Sequence, residues 1–277
     1  MSDIKVERRG DALWLTLNRP ERLNAYSREM AYELRDHVQD VRTESAVIIT
    51  GAGRGFCAGG YLANIAESTE DEIRRLYRSS IELFEAIRTC PRPVIAAVNG
   101  PAAGGGNELV VACDIAIAAE SAWLGQTGPR VGSSPILGGA NMLAMAVGEK
   151  RAKEVAFMCR RYPAHEAFQM GWVNAVVADD ELEAEAQRWA EELGQMSPRY
   201  LEMTKIASNV WWNLLRDSYL QGVGMLTQAI GSHDMIEGAT AFMEKRAPEW
   251  QRRDGEPLSA RVGGSNAPST HSATHPA

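Results

Sequence analysis

The 277-residue sequence predicts an α/β fold that ends in a helical segment. Two short apolar runs, Ala46 to Thr50 and Val94 to Val98, are rich in β-branched residues and read as strands buried on both faces. Each run feeds a glycine-rich stretch. The first is Phe56-Cys57-Ala58-Gly59-Gly60-Tyr61-Leu62, the second Gly100-Pro101-Ala102-Ala103-Gly104-Gly105-Gly106-Asn107-Glu108. After Val177 only helical spacing remains.

Ile4 to Gly10, Ala12 to Leu17 and Ala46 to Thr50 read as strands. Ser27 to Arg42 places Met30, Leu34, Val38 and Val41 at helical spacing. Thr69 to Thr89 is a longer helix, and its Thr69-Glu70-Asp71-Glu72 start suits the positive end of the helix dipole. Pro91 and Pro93 stop it before the next strand. Leu109 to Ala119 is apolar and alanine-rich and starts as a helix candidate. Ala146 to Arg160 and His165 to Gln169 are further helices, and Val173 to Val177 precedes the change in pattern. Four helices then follow, over Asp180 to Met196, Ser197 to Val210, Leu215 to Ile230 and Asp234 to Lys245. The expected division is a core over residues 1–195, a helical segment over 196–254 and a tail over 255–277. The tail is rich in Gly, Ser, Thr, Pro and Ala and is expected to be disordered. Its His271 and His275 are too isolated for a metal site, and no metal is expected.

With 45% hydrophobic residues, the chain has enough apolar content for one core plus an appendage. A net charge of −7 without a basic stripe argues against nucleic-acid binding. The scattered Cys57, Cys90, Cys113 and Cys159 fit reduced thiols better than a disulfide or zinc framework. The first residues are charged, and no apolar run approaches a membrane span of about 20 residues. A cytoplasmic protein is expected, without membrane partners.

Glycines at strand ends let a ligand approach the backbone and leave N–H groups unpaired. Two such groups, one from each stretch, converging on one oxygen atom would make an oxyanion hole, with Glu108 three residues after Gly105. The competing reading is two tight structural turns. Neither stretch is a phosphate loop, because no Gly-Lys-Ser/Thr follows. Gly51-Ala52-Gly53-Arg54-Gly55 imitates a dinucleotide fingerprint, but the residues after it open no helix.

The joint pattern resembles the crotonase (enoyl-CoA hydratase/isomerase) superfamily over about residues 3–253. The landmarks are Leu17-Asn18-Arg19-Pro20 with Asn24-Ala25, Ile49-Thr50-Gly51, Phe56-Cys57-Ala58-Gly59-Gly60, and Pro93 to Gly100. Gly104-Gly105-Gly106, Cys113-Asp114-Ile115 and Phe242-Met243-Glu244-Lys245-Arg246 complete them. The resemblance implies a crotonase-like spiral of ββα repeats with a C-terminal helical trimerisation segment, giving a homotrimer or homohexamer. It implies that the Gly60 and Gly105 amides hold the thioester oxygen of an acyl-CoA and that Glu108 is a catalytic acid–base group. Ala58, Gly59, Tyr61, Leu62, Gly104 and Ala25 would line the substrate path, while Arg22 near the pantetheine path and Lys245 at a position that contacts CoA phosphate are either CoA contacts or exposed charges. CoA enters as part of the substrate, so no separate cofactor is implied.

The departures are informative. Gly128 stands where hydratases carry a second glutamate. Gly125 to Pro129 and Val131-Gly132-Ser133, with Val147-Gly148-Glu149-Lys150, resemble the 1,4-dihydroxy-2-naphthoyl-CoA synthase branch, some members of which bind bicarbonate at the Gln-Thr-Gly site. Gln126 and Thr127 are therefore either a bicarbonate site or a plain turn. That branch's catalytic Asp, Ser and Tyr align with Pro135, Ala140 and Ile230, none of which transfers a proton. Gly106-Asn107-Glu108 with Gln126 to Pro129, Gly132-Ser133 and Gly138-Gly139-Ala140 is more similar to 6-oxocyclohex-1-ene-1-carbonyl-CoA hydrolase. The implied reaction is water addition to an enoyl-CoA, hydrolytic ring cleavage of a cyclic oxo-acyl-CoA, or both. The alternatives are synthase-like cyclisation and an inactive CoA-binding or assembly protein. Tyr61 and Trp211-Trp212 are either pocket or packing residues, and His165 is a cap or surface residue before it is a site residue.

Overall fold

Gly10, with a φ of 55°, turns the chain between β1 (Ile4–Arg9) and β2 (Ala12–Leu17), which pair antiparallel with Ile4 opposite Leu17. The computed structural model describes residues 2–60 and 68–251. Tyr61, Leu62 and the tail from Gly255 to Ala277 lie outside the described residues. Ser27 caps α1 (Arg28–Gln39) by accepting the Met30 N–H, and Met30, Ala31, Leu34 and Val38 form its buried stripe. Every residue of β3 (Ala46–Gly51) is buried, as expected of an interior parallel strand. Helix α2 (Glu70–Thr89) begins with a reciprocal capping box between Thr69 and Glu72.

Next come β4 (Val94–Val98), β5 (Ala102–Ala103) and α3 (Gly105–Ala112), then β6 (Ile115–Ala119), β7 (Trp123–Gly125), α4 (Leu143–Val147) and α5 (Glu149–Met158). The chain continues through β8 (Tyr162–Pro163), α6 (Ala164–Gln169), β9 (Ala175–Val177) and α7 (Leu182–Gly194). It finishes with α8 (Pro198–Ser208), α9 (Val210–Gln228) and α10 (His233–Glu244). The main sheet has the order β1-β2-β3-β4-β6-β9 and is parallel from β2 onward, while β5-β7-β8 form a small second sheet. A long strand is followed by a short one and then a helix, in β4-β5-α3 and again in β6-β7-α4. The chain thus winds as a spiral of ββα turns between two sheets.

Two segments depart from the sequence reading. Leu109 to Ala119 is the end of α3 followed by strand β6. The break falls at Cys113-Asp114, where the Asp114 carboxylate accepts the Val94 N–H at 2.8 Å and locks β6 beside β4. The single helix expected over Ala146 to Arg160 breaks at Gly148, whose φ of 81° separates α4 from α5.

Helix α8 is tied to the core by a buried charge. Lys205 pairs with Asp114 at 2.6 Å and donates to the carbonyls of Ile87 (2.8 Å) and Arg92 (3.0 Å). Lys205→Ala leaves Asp114 without its cation and is expected to cost about 3 kcal/mol. Urea unfolding of variant and wild type measures this, and a loss under about 0.5 kcal/mol would mean the pair behaves like a surface bridge.

Candidate active site

Three loops stack at the ends of β2, β3 and β4. Asn24, fully buried and left-handed (φ 56°), holds the first to the second. Its Nδ2 donates to the carbonyls of Ala52 (3.0 Å) and Gly55 (2.7 Å), and its Oδ1 accepts the Arg19 N–H at 2.9 Å. Ala58 N–H then donates to Leu23 and Tyr26 N–H to Gly59, both at 2.9 Å. On the other side, Phe56 and Cys57 N–H both donate to the Pro101 carbonyl, and Ala103 N–H donates to the Cys57 carbonyl at 3.0 Å. This closeness requires glycine at two points. A Cβ on Gly59 (φ 92°) would lie 2.8 Å from Gly105 N, and one on Gly106 would lie 2.0 Å from the Cys57 carbonyl oxygen.

The stacking sets Gly60 beside Gly105. A Cβ on Gly105 would sit 3.3 Å from Gly60 N and 2.6 Å from the Tyr26 hydroxyl. Gly105 N–H opens α3, where the first amides of a helix have no acceptor within it. Neither the Gly60 nor the Gly105 amide has a backbone acceptor among the described residues. One turn further along α3 stands Glu108, buried to 5% exposure, with Oε1 accepting the Gly139 N–H at 3.1 Å. Burial pushes its carboxyl up to about 8, against the opposing pull of backbone N–H bonds from Gly139 and Leu137.

One cavity is bordered by Ala58, Gly60, Gly104, Gly105, Glu108, Gln126, Thr127 and Ser133. Glu108 is the only carboxylate among the described residues that line it. Gly128 also borders it, and a Cβ there would meet Ser134 Cα at 3.0 Å and Pro135 N at 3.1 Å. The position therefore has no room for a second glutamate without moving that loop. Gly59 backs the wall, and Ala25 is buried beside Tyr26.

Other expected residues lie elsewhere. Arg22 is exposed in the turn over Pro20–Arg22, and Lys245 is exposed in the left-handed cap of α10; neither borders the cavity. His165 is exposed, 3.8 Å from Glu120. Trp211 and Trp212 do not roof the cavity. Trp211 points to solvent, while Trp212 turns inward against Tyr219 (5.5 Å) and Arg88 (5.1 Å). The same helical region contributes Leu226 of α9 and Met235 of α10 to the cavity wall instead.

The structure adds Tyr26, Tyr77 and Ser80 to the site. Ser79 and Ser80 both donate to the Leu76 carbonyl, at 2.8 and 3.1 Å. With its proton so placed, Ser80 accepts from the Tyr26 phenol across their 3.2 Å contact. Burial raises the Tyr26 phenol above its ordinary value, so it stays neutral and a donor. Tyr77 is pushed up to about 12 by burial, against a smaller opposing pull from Ser133. Ser80 had a readable signal: a polar residue inside the buried stripe Ile73, Leu83, Phe84, Ile87 of α2.

Two neighbouring amides without backbone acceptors, close to a buried carboxyl, can hold an oxygen as it gains negative charge and move a proton next to it. A family model described as enoyl-CoA hydratase/isomerase matches residues 7–253. A crystal structure of an enoyl-CoA hydratase from Mycobacterium avium subsp. paratuberculosis K-10 is similar at a TM-score of 0.82 and 32% identity, covering 91% of this chain and 100% of that one. One from Bacillus anthracis is 35% identical, with a TM-score of 0.73 and coverage of 90% and 98%. An enoyl-CoA hydratase/isomerase from Xanthobacter autotrophicus Py2 is 34% identical, with a TM-score of 0.78 and coverage of 88% and 93%. With the two glycine amides and Glu108 placed as described, the chain belongs to the enoyl-CoA hydratase/isomerase family of the crotonase superfamily and is an acyl-CoA enzyme.

Proposed function

We propose that this enzyme adds water to a conjugated or β-oxo acyl-CoA, with Glu108 as its single acid–base carboxylate. The observation that carries the reading is Glu108 itself, buried, pushed to about 8 and one helical turn from the Gly105 amide. Its ionised form takes a proton from water as the oxygen attacks the β-carbon. The electron pair displaced from the double bond moves onto the thioester oxygen, between the Gly60 and Gly105 amides. Glu108 returns the proton to the α-carbon as the enolate collapses, so one water is added and the carboxylate is regenerated.

The crowding at Gly128 favours a second form of the reaction. With a β-oxo ring, water adds to the ring carbonyl and the bond between that carbon and the α-carbon breaks. The ring opens to a carboxylic acid and a thioester enolate, and Glu108 supplies the α-proton. The test is a panel of linear enoyl-CoAs and cyclic oxo-acyl-CoAs, with products followed by mass. A 3-hydroxyacyl product supports hydration, and an opened ring with one added water supports cleavage. No turnover and no calorimetric binding of CoA or any ester would overturn the acyl-CoA reading.

Assembly follows from the surface of the helical segment. Tyr200, Met203, Ile206, Trp211 and Leu214 are each more than half exposed on α8 and α9, a load that a solitary chain rarely carries. A homotrimer, alone or paired into a homohexamer, is proposed to cover it. Light scattering at micromolar concentration should give a trimer or hexamer mass, and a monomer there would refute the assembly.

A further inference from the structure

Gln126 is 1% exposed and borders the cavity, yet neither its Nε2 nor its Oε1 has a hydrogen-bond partner among the described residues. A buried amide with both ends unpaired is costly, and such groups are normally paired. Its position is fixed on two sides. Gly125, just before it, pairs with Ala103 across β5 and β7 and accepts the Gly104 N–H at 3.0 Å. This puts the base of the side chain about one strand spacing, ~4.8 Å, from the loop that carries the Gly105 amide. The amide end lies over Gly139, where a Cβ would be 2.0 Å from Nε2, and the N–H of that same residue binds Glu108. The amide therefore sits between the thioester-oxygen site and the carboxyl that handles the proton.

From this placement we infer that Gln126 holds a second, uncharged oxygen of the acyl group, so the substrate class is a β-oxo or β-hydroxy acyl thioester. The inference rests on the acyl-CoA reading above. Nε2 donates to a carbonyl and Oε1 accepts from a hydroxyl, so one unpinned amide serves either oxidation level. An anion fits less well. No Lys, Arg or His is among the described residues lining the cavity. A plain hydrocarbon acyl chain leaves the amide unpaired, and sites built to bond an oxygen reject analogues lacking it.

The test uses two ligands that differ by one oxygen, 2-oxocyclohexane-1-carbonyl-CoA and cyclohexane-1-carbonyl-CoA. Calorimetry on the Glu108→Gln protein, whose turnover of the oxo ester is expected to be lower by about 10²–10⁴, should show the oxo ester bound about tenfold or more tightly. Adding Gln126→Leu should erase the preference by weakening the oxo ester alone, and Gln126→Met should do the same if the leucine variant folds poorly. Equal affinities, or a preference that survives both substitutions, would overturn the role of Gln126 while leaving the acyl-CoA reading intact. Failure of both esters to bind would overturn the two together. Competition by sodium bicarbonate that disappears on substituting Gln126 would assign the amide to an anion and also defeat the inference.

Discussion

Glu108→Gln is expected to remove most of the turnover and to stabilise the fold at alkaline pH. Loss of a positioned acid–base group typically lowers rates by about 10²–10⁴, and no other carboxylate among the described residues borders the cavity to take over. The stability effect has the opposite sign. Burial lifts the folded-state carboxyl from its ordinary 4.5 to about 8, so the fold prefers the protonated group. The associated stability is fully present below about pH 4 and drains away as pH rises toward 8. Between pH 5.5 and 9 the wild type should lose on the order of 3 kcal/mol relative to the glutamine variant, which carries no ionisable group there. Denaturant unfolding of both proteins at the two pH values measures this directly. If Glu108 acts first as a base, kcat/KM should climb with pH and level off above about 8. A profile that falls through the same range would make Glu108 the initial acid, and a variant as active as wild type would remove it from the mechanism. Together the signs describe a group kept for chemistry at a cost to the fold.

Much of this was legible in the chain because it was written locally. Strands β2, β3 and β4 are short apolar runs, and Thr69 with Glu72 announces the start of α2. Glu108 stood out because it follows glycines that end a strand. Leu109 to Ala119 was ambiguous for a physical reason: an apolar, alanine-rich run has neither a period of 2 nor one of 3.6. The two- and three-residue strands β5, β7 and β8 are too short to carry any period. Tyr26, Tyr77 and Ser80 were missed because their meeting is a tertiary event. Tyr26 follows the Asn24 staple, and the other two lie on α2, far along the chain from the glycines they face. Leu226 and Met235 reach the cavity from helices whose sequence reads only as apolar and helical.

Gly105→Ala is expected to fold and to be nearly inactive, which separates the amide pair from the glycine turns that merely permit it. The added methyl would lie 2.6 Å from the Tyr26 hydroxyl and 3.3 Å from Gly60 N. The phenol is the far end of a side chain and can shift at modest cost, whereas Gly60 N is backbone. The methyl then stands where an oxygen must approach that amide, and loss of one oxyanion donor lowers kcat by about 10²–10³. Gly106→Ala should behave differently. Its methyl would lie 2.0 Å from the Cys57 carbonyl oxygen, which is held by Ala103 N–H, so the loops cannot close and little soluble protein should be recovered. A Cβ on Gly60, by contrast, would meet among the described residues only Leu76, at 3.7 Å, so Gly60→Ala should fold normally. The decisive protein is Gly105→Ala combined with Tyr26→Phe. Removing the hydroxyl relieves the closest contact and should restore thermal stability, but the methyl still covers Gly60 N–H, so the rate should stay low. If this double variant regained the wild-type rate while Tyr26→Phe alone was unchanged, crowding would explain the loss and the two amides would not be where the oxygen binds.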